Sequence, residues 1–129
     1  MKFINCTAHK LLPEQIEVAK TMGVTEFVEL PDELKSVLMN TPGDKDKMYE
    51  LVNILIKDLS SLIIINEPTY LHLPIGSPAF MYLFQERWLR PTFVKVLFSH
   101  SNRESVEQTR PDGTVNKISM FKFANFIEI

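Results

Sequence analysis

One cysteine, Cys6, stands alone in the 129 residues. Without a second thiol the chain can form neither an internal disulfide nor a cysteine-rich metal cluster, which fits a reducing cytoplasm. Cys6 lies in the apolar opening run and reads as a buried, inert thiol. Glycine is scarce, at four residues. None falls in a Gly-x-Gly-x-x-Gly or Gly-Lys-Ser/Thr pattern, so neither a dinucleotide cofactor nor an ATPase phosphate loop is expected. The three histidines, His9, His72 and His100, include no i, i+4 pair and have no cysteine partner, so the sequence supports no zinc site. A basic surplus is missing too. At a formal charge of −2 the chain is not built to coat duplex DNA, which needs many Lys/Arg to displace counterions. No apolar run is long enough for a transmembrane helix, and no basic region followed by an apolar stretch marks a signal peptide. A cytoplasmic protein that needs no cofactor is therefore expected.

What is present is ordinary for a globular protein: 45% hydrophobic and 23% charged residues, in a length suited to one domain, 1–129. Lys2 to Thr7 reads as a strand. After the polar break at Ala8-His9-Lys10, Pro13 and Glu14 open a helix carrying Ile16, Ala19 and Met22 on one face, and Gly23 stops it. Thr25 to Leu30 reads as a second strand, and Pro31, Asp32 and Glu33 open a short helix with Leu34, Val37 and Leu38. A longer helix from about Asp44 to Leu59 follows, its stripe formed by Met48, Leu51, Val52, Leu55 and Leu59. Leu62-Ile63-Ile64-Ile65 reads as a central strand ending in Asn66-Glu67-Pro68-Thr69. Tyr70 to Ile75 is taken as a connection, in which His72 is a partly buried or interface residue rather than a ligand. Ser77 caps a helix with Pro78 in its first position and Ala79, Phe80, Leu83, Phe84 and Trp88 facing inward. A strand from Phe93 then ends in Ser99-His100-Ser101-Asn102-Arg103. Asp112-Gly113 marks a hairpin turn between two β-prone segments, and an apolar segment, Met120 to Ile129, closes the chain. This order predicts an α/β, Rossmann-like, mostly parallel sheet with a C-terminal antiparallel hairpin.

In an open α/β sheet, ligands sit outside the carboxyl ends of the strands. Four polar breaks are expected there: Thr7-Ala8-His9-Lys10, Leu30-Pro31-Asp32, Asn66-Glu67-Pro68-Thr69 and Ser99 to Arg103. The first, third and fourth can converge, bringing together imidazoles, an ammonium, a guanidinium, a carboxylate and hydroxyls. That set suits an anion with hydrogen-bonding bases. The helix start at Gly76-Ser77 adds backbone N–H donors for phosphate, although Gly-Ser-Pro is equally an ordinary cap. Ser99 and Ser101 are candidate nucleophiles beside His100, yet neighbours on a strand face opposite sides, which is poor support for a local Ser–His dyad.

The ordered phrases Ala8-His9-Lys10-Leu11 with Pro13, Glu14 and Gln15, Leu30-Pro31-x-x-Leu34, Leu73 to Phe80, Phe98-Ser99-His100-Ser101-x-Arg103 and Asp112-Gly113-x-Val115-x-Lys117 carry a resemblance. They resemble short CRISPR-associated accessory proteins of type III systems. These look like single-domain relatives of the CARF fold, among them ring nucleases that bind and open cyclic oligoadenylate messengers. Two positions depart from that pattern: Phe123 and Ile127 stand near where relatives tend to carry a His and an Arg.

The resemblance implies a metal-independent ring nuclease acting on cyclic oligoadenylate, cyclic tetra-adenylate first among ring sizes, so as to switch off type III CRISPR signalling. Opening by the ligand's own 2′-hydroxyl would need only positioning, cations and a base. His100, Arg103 and His9 are the expected catalytic residues. Thr7, Lys10, Glu67, Gly76, Ser77, Ser99, Ser101 and Asn102 are the expected ligand contacts. A symmetric ligand suits a homodimer, with Met120, Phe121, Phe123, Phe126 and Ile127 partly covered. Two other readings stay open: a non-catalytic sensor or sink for the same ligand, and a small α/β protein-interaction module.

Overall fold

A computed structural model describes residues 1–129. Its elements run β1 (Lys2–Asn5), α1 (Pro13–Thr21), β2 (Glu26–Glu29), α2 (Asp32–Met39), α3 (Lys45–Leu62), β3 (Thr69–Leu73), α4 (Pro78–Arg87), β4 (Val94–Thr109) and β5 (Val115–Glu128). One sheet in the order β2-β1-β3-β4-β5 holds all five strands. The first four are parallel, and β5 returns antiparallel to β4. The fold is thus α/β with a mostly parallel sheet and a C-terminal antiparallel hairpin, as the alternation of strand and helix signals predicts.

Strand periodicity assigns the two faces of the sheet. Ile4, Leu71, Leu73, Val94 and Val96 join Leu34 and Leu38 of α2, Leu51, Val52, Leu55 and Leu59 of α3 and Phe80 and Phe84 of α4 in the main core. Phe3, Tyr70 and Leu97 face the other way and pack with Ala19 of α1 and Val24. Fully burying each large side chain contributes roughly 1.5–3 kcal/mol, so the stripe of α3 anchors the larger layer. The helix starts follow their sequence signals. Asp44 accepts from the Lys47 N–H at 3.0 Å, and Ser77 Oγ accepts from the Phe80 N–H at 3.2 Å.

Two segments differ from the sequence expectation. Leu62 is the last residue of α3 and Ile63 its cap, while Ile64 and Ile65 are exposed in the turn that follows. The central strand is instead Thr69–Leu73, buried at every position. A run of β-branched residues without alternation does not separate a strand from a helix end. Here the amphipathic stripe of α3 carried the helix three residues further than expected. The second difference is β4, which does not stop at Ser99. It pairs with β3 only from Val94 to Phe98 and continues with β5 to Thr109. Ser101 to Thr109 therefore lie in a two-stranded arm about 30 Å long, at roughly 3.3 Å per residue, with Ser101 to Thr109 exposed throughout. The Asp112-Gly113 turn closes the arm as expected, with Gly113 at φ +87°.

Candidate functional site

The order 2-1-3-4 places β1 beside β3, while the chain leaves β1 toward β2 and leaves β3 toward β4. The loops after these strands diverge and open a crevice between them, the usual ligand position in this architecture. A cleft of about 430 Å³ lies there. It is lined by the Thr7 to Lys10 loop after β1, Pro74 and Gly76 after β3, Gln15 of α1, Leu38 and Met39 at the end of α2, His72, and Ser99.

One row of polar side chains crosses the sheet at its edge. Asn5 pairs with both Glu29 of β2 and His72 of β3 in the strand register. His72 lies opposite Leu97, and Ser99 is two residues further along the same face. Asn5 Nδ2 donates to both Glu29 carboxylate oxygens at 3.1 Å and to the His9 carbonyl at 2.9 Å. These partners only accept, so the amide orientation is fixed and Asn5 Oδ1 is an acceptor. The His72 Nδ1, 2.9 Å from Oδ1, is consequently the protonated nitrogen. His72 Nε2 then accepts from the Ser99 hydroxyl at 2.7 Å. Ser99 Oγ in turn accepts from Gln15 Nε2 at 3.0 Å, because Gln15 Oε1 is occupied by the Leu12 N–H at 2.7 Å. Each link of the chain Glu29–Asn5–His72–Ser99–Gln15 thus has one direction, with its donor and acceptor assigned.

Burial sets the charge state of this row. His72 is 2% exposed, with the Phe3 and Phe126 rings 5.4 and 5.5 Å from its own. Desolvation pushes its pKa down to about 4, against a smaller opposing pull from Glu29, so the imidazole is neutral near pH 7. Lys35 neutralises Glu29 from outside through an ion pair.

The expected site residues separate into three groups. Thr7, His9, Lys10, Gly76 and Ser99 line the cleft together. Ser77 stands beside it, its Oγ accepting from the Thr41 hydroxyl at 3.2 Å, which ties the β3–α4 loop to the end of α2. Thr7 is spent partly on structure, with its N–H and hydroxyl both directed to Asn5 Oδ1 at 3.2 and 2.8 Å. No hydrogen bond within the chain uses the N–H groups of Ala8, His9, Lys10, Gly76 or Ser77, so they remain available as anion donors.

The second group, His100, Ser101, Asn102 and Arg103, is exposed on β4 where it runs past the end of β3, and none of the four lines the cleft. A register shift between His100 and Ser101 marks the base of the arm. The expectation that this cluster closes a strand end is corrected: it is the start of a hairpin paired only to β5. The third case is Glu67, together with Asn66. Because the true β3 begins at Thr69, both lie at the amino end of that strand, and Glu67 pairs at 3.6 Å with Lys2 at the start of β1. The opposite end of the sheet holds Glu67, outside the candidate site. Its place is taken by the Pro74 to Ser77 loop, which follows the actual strand.

Sequence reasoning missed Asn5, Gln15 and His72 as site residues. The apolar neighbours of His72 mark burial, and burial on an interior strand next to the cleft is what brings its ring there. No group of three or more His, Cys, Asp or Glu side chains converges as a metal set, and no helix is long and apolar enough to cross a membrane.

A family model described as "Uncharacterized protein MJ1673 family" matches residues 1–127, and the chain belongs to that family. Neither the curated proteins nor the solved structures contain a match to the chain.

Proposed function

We propose that this member of the MJ1673 family binds a cyclic oligoadenylate at the β1/β3 cleft and opens one of its phosphodiesters without a metal ion, acting in the cytoplasm to end type III CRISPR signalling. The observation that carries the reading is the meeting, in one cleft, of Lys10, His9 and the uncommitted N–H groups of two loops, with no carboxylate among the lining residues. Such a wall attracts phosphate through both a full charge and fixed dipoles. Ser99 and Gln15 add donors and acceptors suited to ribose hydroxyls or adenine edges.

A volume of about 430 Å³ falls in the lower part of the range for small-molecule sites. A ring of several nucleotides exceeds it, so the ligand engages two clefts related by a twofold axis in a homodimer. The arm supports this assembly, since Val106, Ile118, Met120 and Phe121 are exposed along it and an isolated two-stranded ribbon is marginal in water. In this assembly His100 and Arg103, which do not line the cleft of their own chain, contact the ligand from the arm. Phe126, one of the five apolar residues of which some are expected to be covered, packs on Phe3 and His72 within its own chain.

Incubating the protein with cyclic tri-, tetra- and hexa-adenylate in EDTA, with chromatography of the products, tests the reading. Linear species from one ring size are expected. Tight binding with the ring left intact identifies a sink, and neither binding nor cleavage leaves the interaction module.

A further inference from the structure

We infer that Ser99 is itself a phosphorus nucleophile, with His72 as its general base and Asn5 as the residue that positions the base. This rests on the reading above for the phosphodiester substrate, and it replaces the ligand's 2′-hydroxyl as the attacking oxygen. Three features separate Ser99 from the other hydroxyls of the chain. Its proton is directed at His72 Nε2 over 2.7 Å, the second imidazole nitrogen is held by Asn5 Oδ1 at 2.9 Å, and the residue lines the cleft. Nucleophile, base and orienting group at hydrogen-bond distance are the geometric signature of an activated hydroxyl. The fixed tautomer leaves Nε2 without a proton and able to take one. The Gln15 donor at 3.0 Å occupies one lone pair of Oγ and leaves the other for attack. Ser101 and Ser105, exposed on the same strand, have no imidazole partner.

The step balances as follows for a bound phosphodiester. The Oγ–P bond forms as the bond from phosphorus to the leaving ribose oxygen breaks. The Ser99 proton passes to Nε2, and from there to the departing oxygen. Water, deprotonated by the same nitrogen, then attacks phosphorus as the Oγ–P bond breaks, and the proton passes from Nε2 to Oγ, which restores both Ser99 and His72. The product is a linear oligonucleotide ending in a phosphate monoester, whereas attack by the 2′-hydroxyl leaves a 2′,3′-cyclic phosphate. The free N–H groups of Ala8, His9 and Lys10 supply donors for the charge that grows on the phosphoryl oxygens.

Diisopropyl fluorophosphate provides the test, because it presents a phosphorus electrophile with fluoride as leaving group and needs no knowledge of the ligand. Peptide mapping after exposure is expected to show one adduct, on Ser99, with Ser101 and Ser105 unmodified. Ser99→Ala abolishes the adduct, and His72→Gln slows it on the order of 10²-fold or more. No adduct on Ser99, or labelling no faster than at Ser101, overturns the inference, and this comparison within the unaltered protein holds even if His72→Gln does not fold. Ring opening in EDTA is scored separately. Labelling without ring opening sustains the nucleophile and removes the cyclic ligand, while ring opening without labelling, ending in a 2′,3′-cyclic phosphate, does the reverse.

Discussion

His72 Nε2 accepts a hydrogen bond from Ser99 Oγ over 2.7 Å, joining two neighbouring parallel strands where their pairing ends. Because Asn5 holds the other ring nitrogen, removing either Ser99 or Asn5 leaves one nitrogen of the buried imidazole without a partner, which costs about 1–3 kcal/mol. The row is therefore structural as well as chemical, and its protonation couples to folding.

That coupling sets a pH dependence. His72 has a folded pKa of about 4, below the unfolded value near 6.5, so between these limits the unfolded chain binds more protons and stability rises with pH. The stabilisation is complete above about pH 6.5 and declines as pH falls toward 4, by roughly 2–4 kcal/mol in all. Denaturant unfolding between pH 4.5 and 7.5 should show this loss in the wild type, and His72→Gln should flatten the profile. A wild-type midpoint that does not change across this window contradicts the buried neutral imidazole.

Gly76 shapes the loop between the cleft and α4. It adopts φ +60°, and a Cβ placed there would stand 2.8 Å from Thr41 Cγ2 and 3.2 Å from the Leu38 carbonyl. Gly76→Ala combines backbone strain with a clash and should destabilise the fold by about 1–3 kcal/mol. Ligand affinity should fall with it, because Gly76 and Leu38 line the cleft. A thermal midpoint within a degree of wild type would show that the loop absorbs the methyl group.

Cys6 is 1% exposed, and burial raises its thiol pKa far above the usual range. A thiol-specific reagent should modify it only as fast as the protein unfolds, with full modification in denaturant. Rapid reaction of the native protein would require an opening at β1 that this packing does not provide.

The fold was legible where two signals agreed. Ser77-Pro78 joined a cap to an N1 proline, Asp112-Gly113 joined a turn to flanking β-prone runs, and the stripe from Met48 to Leu59 needed no tertiary information. It was illegible where hydrophobicity stood alone. Ile63 to Ile65 look like a strand, yet Ile65 is 81% exposed, whereas Thr69–Leu73 is interior but begins after a proline and contains a histidine. That single displacement sent Glu67 to the wrong end of the sheet and hid His72. The Ser99 partner could not be read locally either, since His72 lies 27 residues away in sequence and only strand pairing brings the two together.

Lys10 supplies the most direct test of the central claim, that the β1/β3 cleft takes a cyclic oligoadenylate. It is exposed, lines the cleft and makes no ion pair within the chain, so its replacement should leave the fold intact. Calorimetric titration of cyclic tetra-adenylate in EDTA, into the wild type and into Lys10→Ala, is the measurement. Saturable binding that weakens in the variant by about 1.5–3 kcal/mol, roughly tenfold or more in Kd, is the expected result. Binding of equal strength in the two proteins, or none in either, would contradict it.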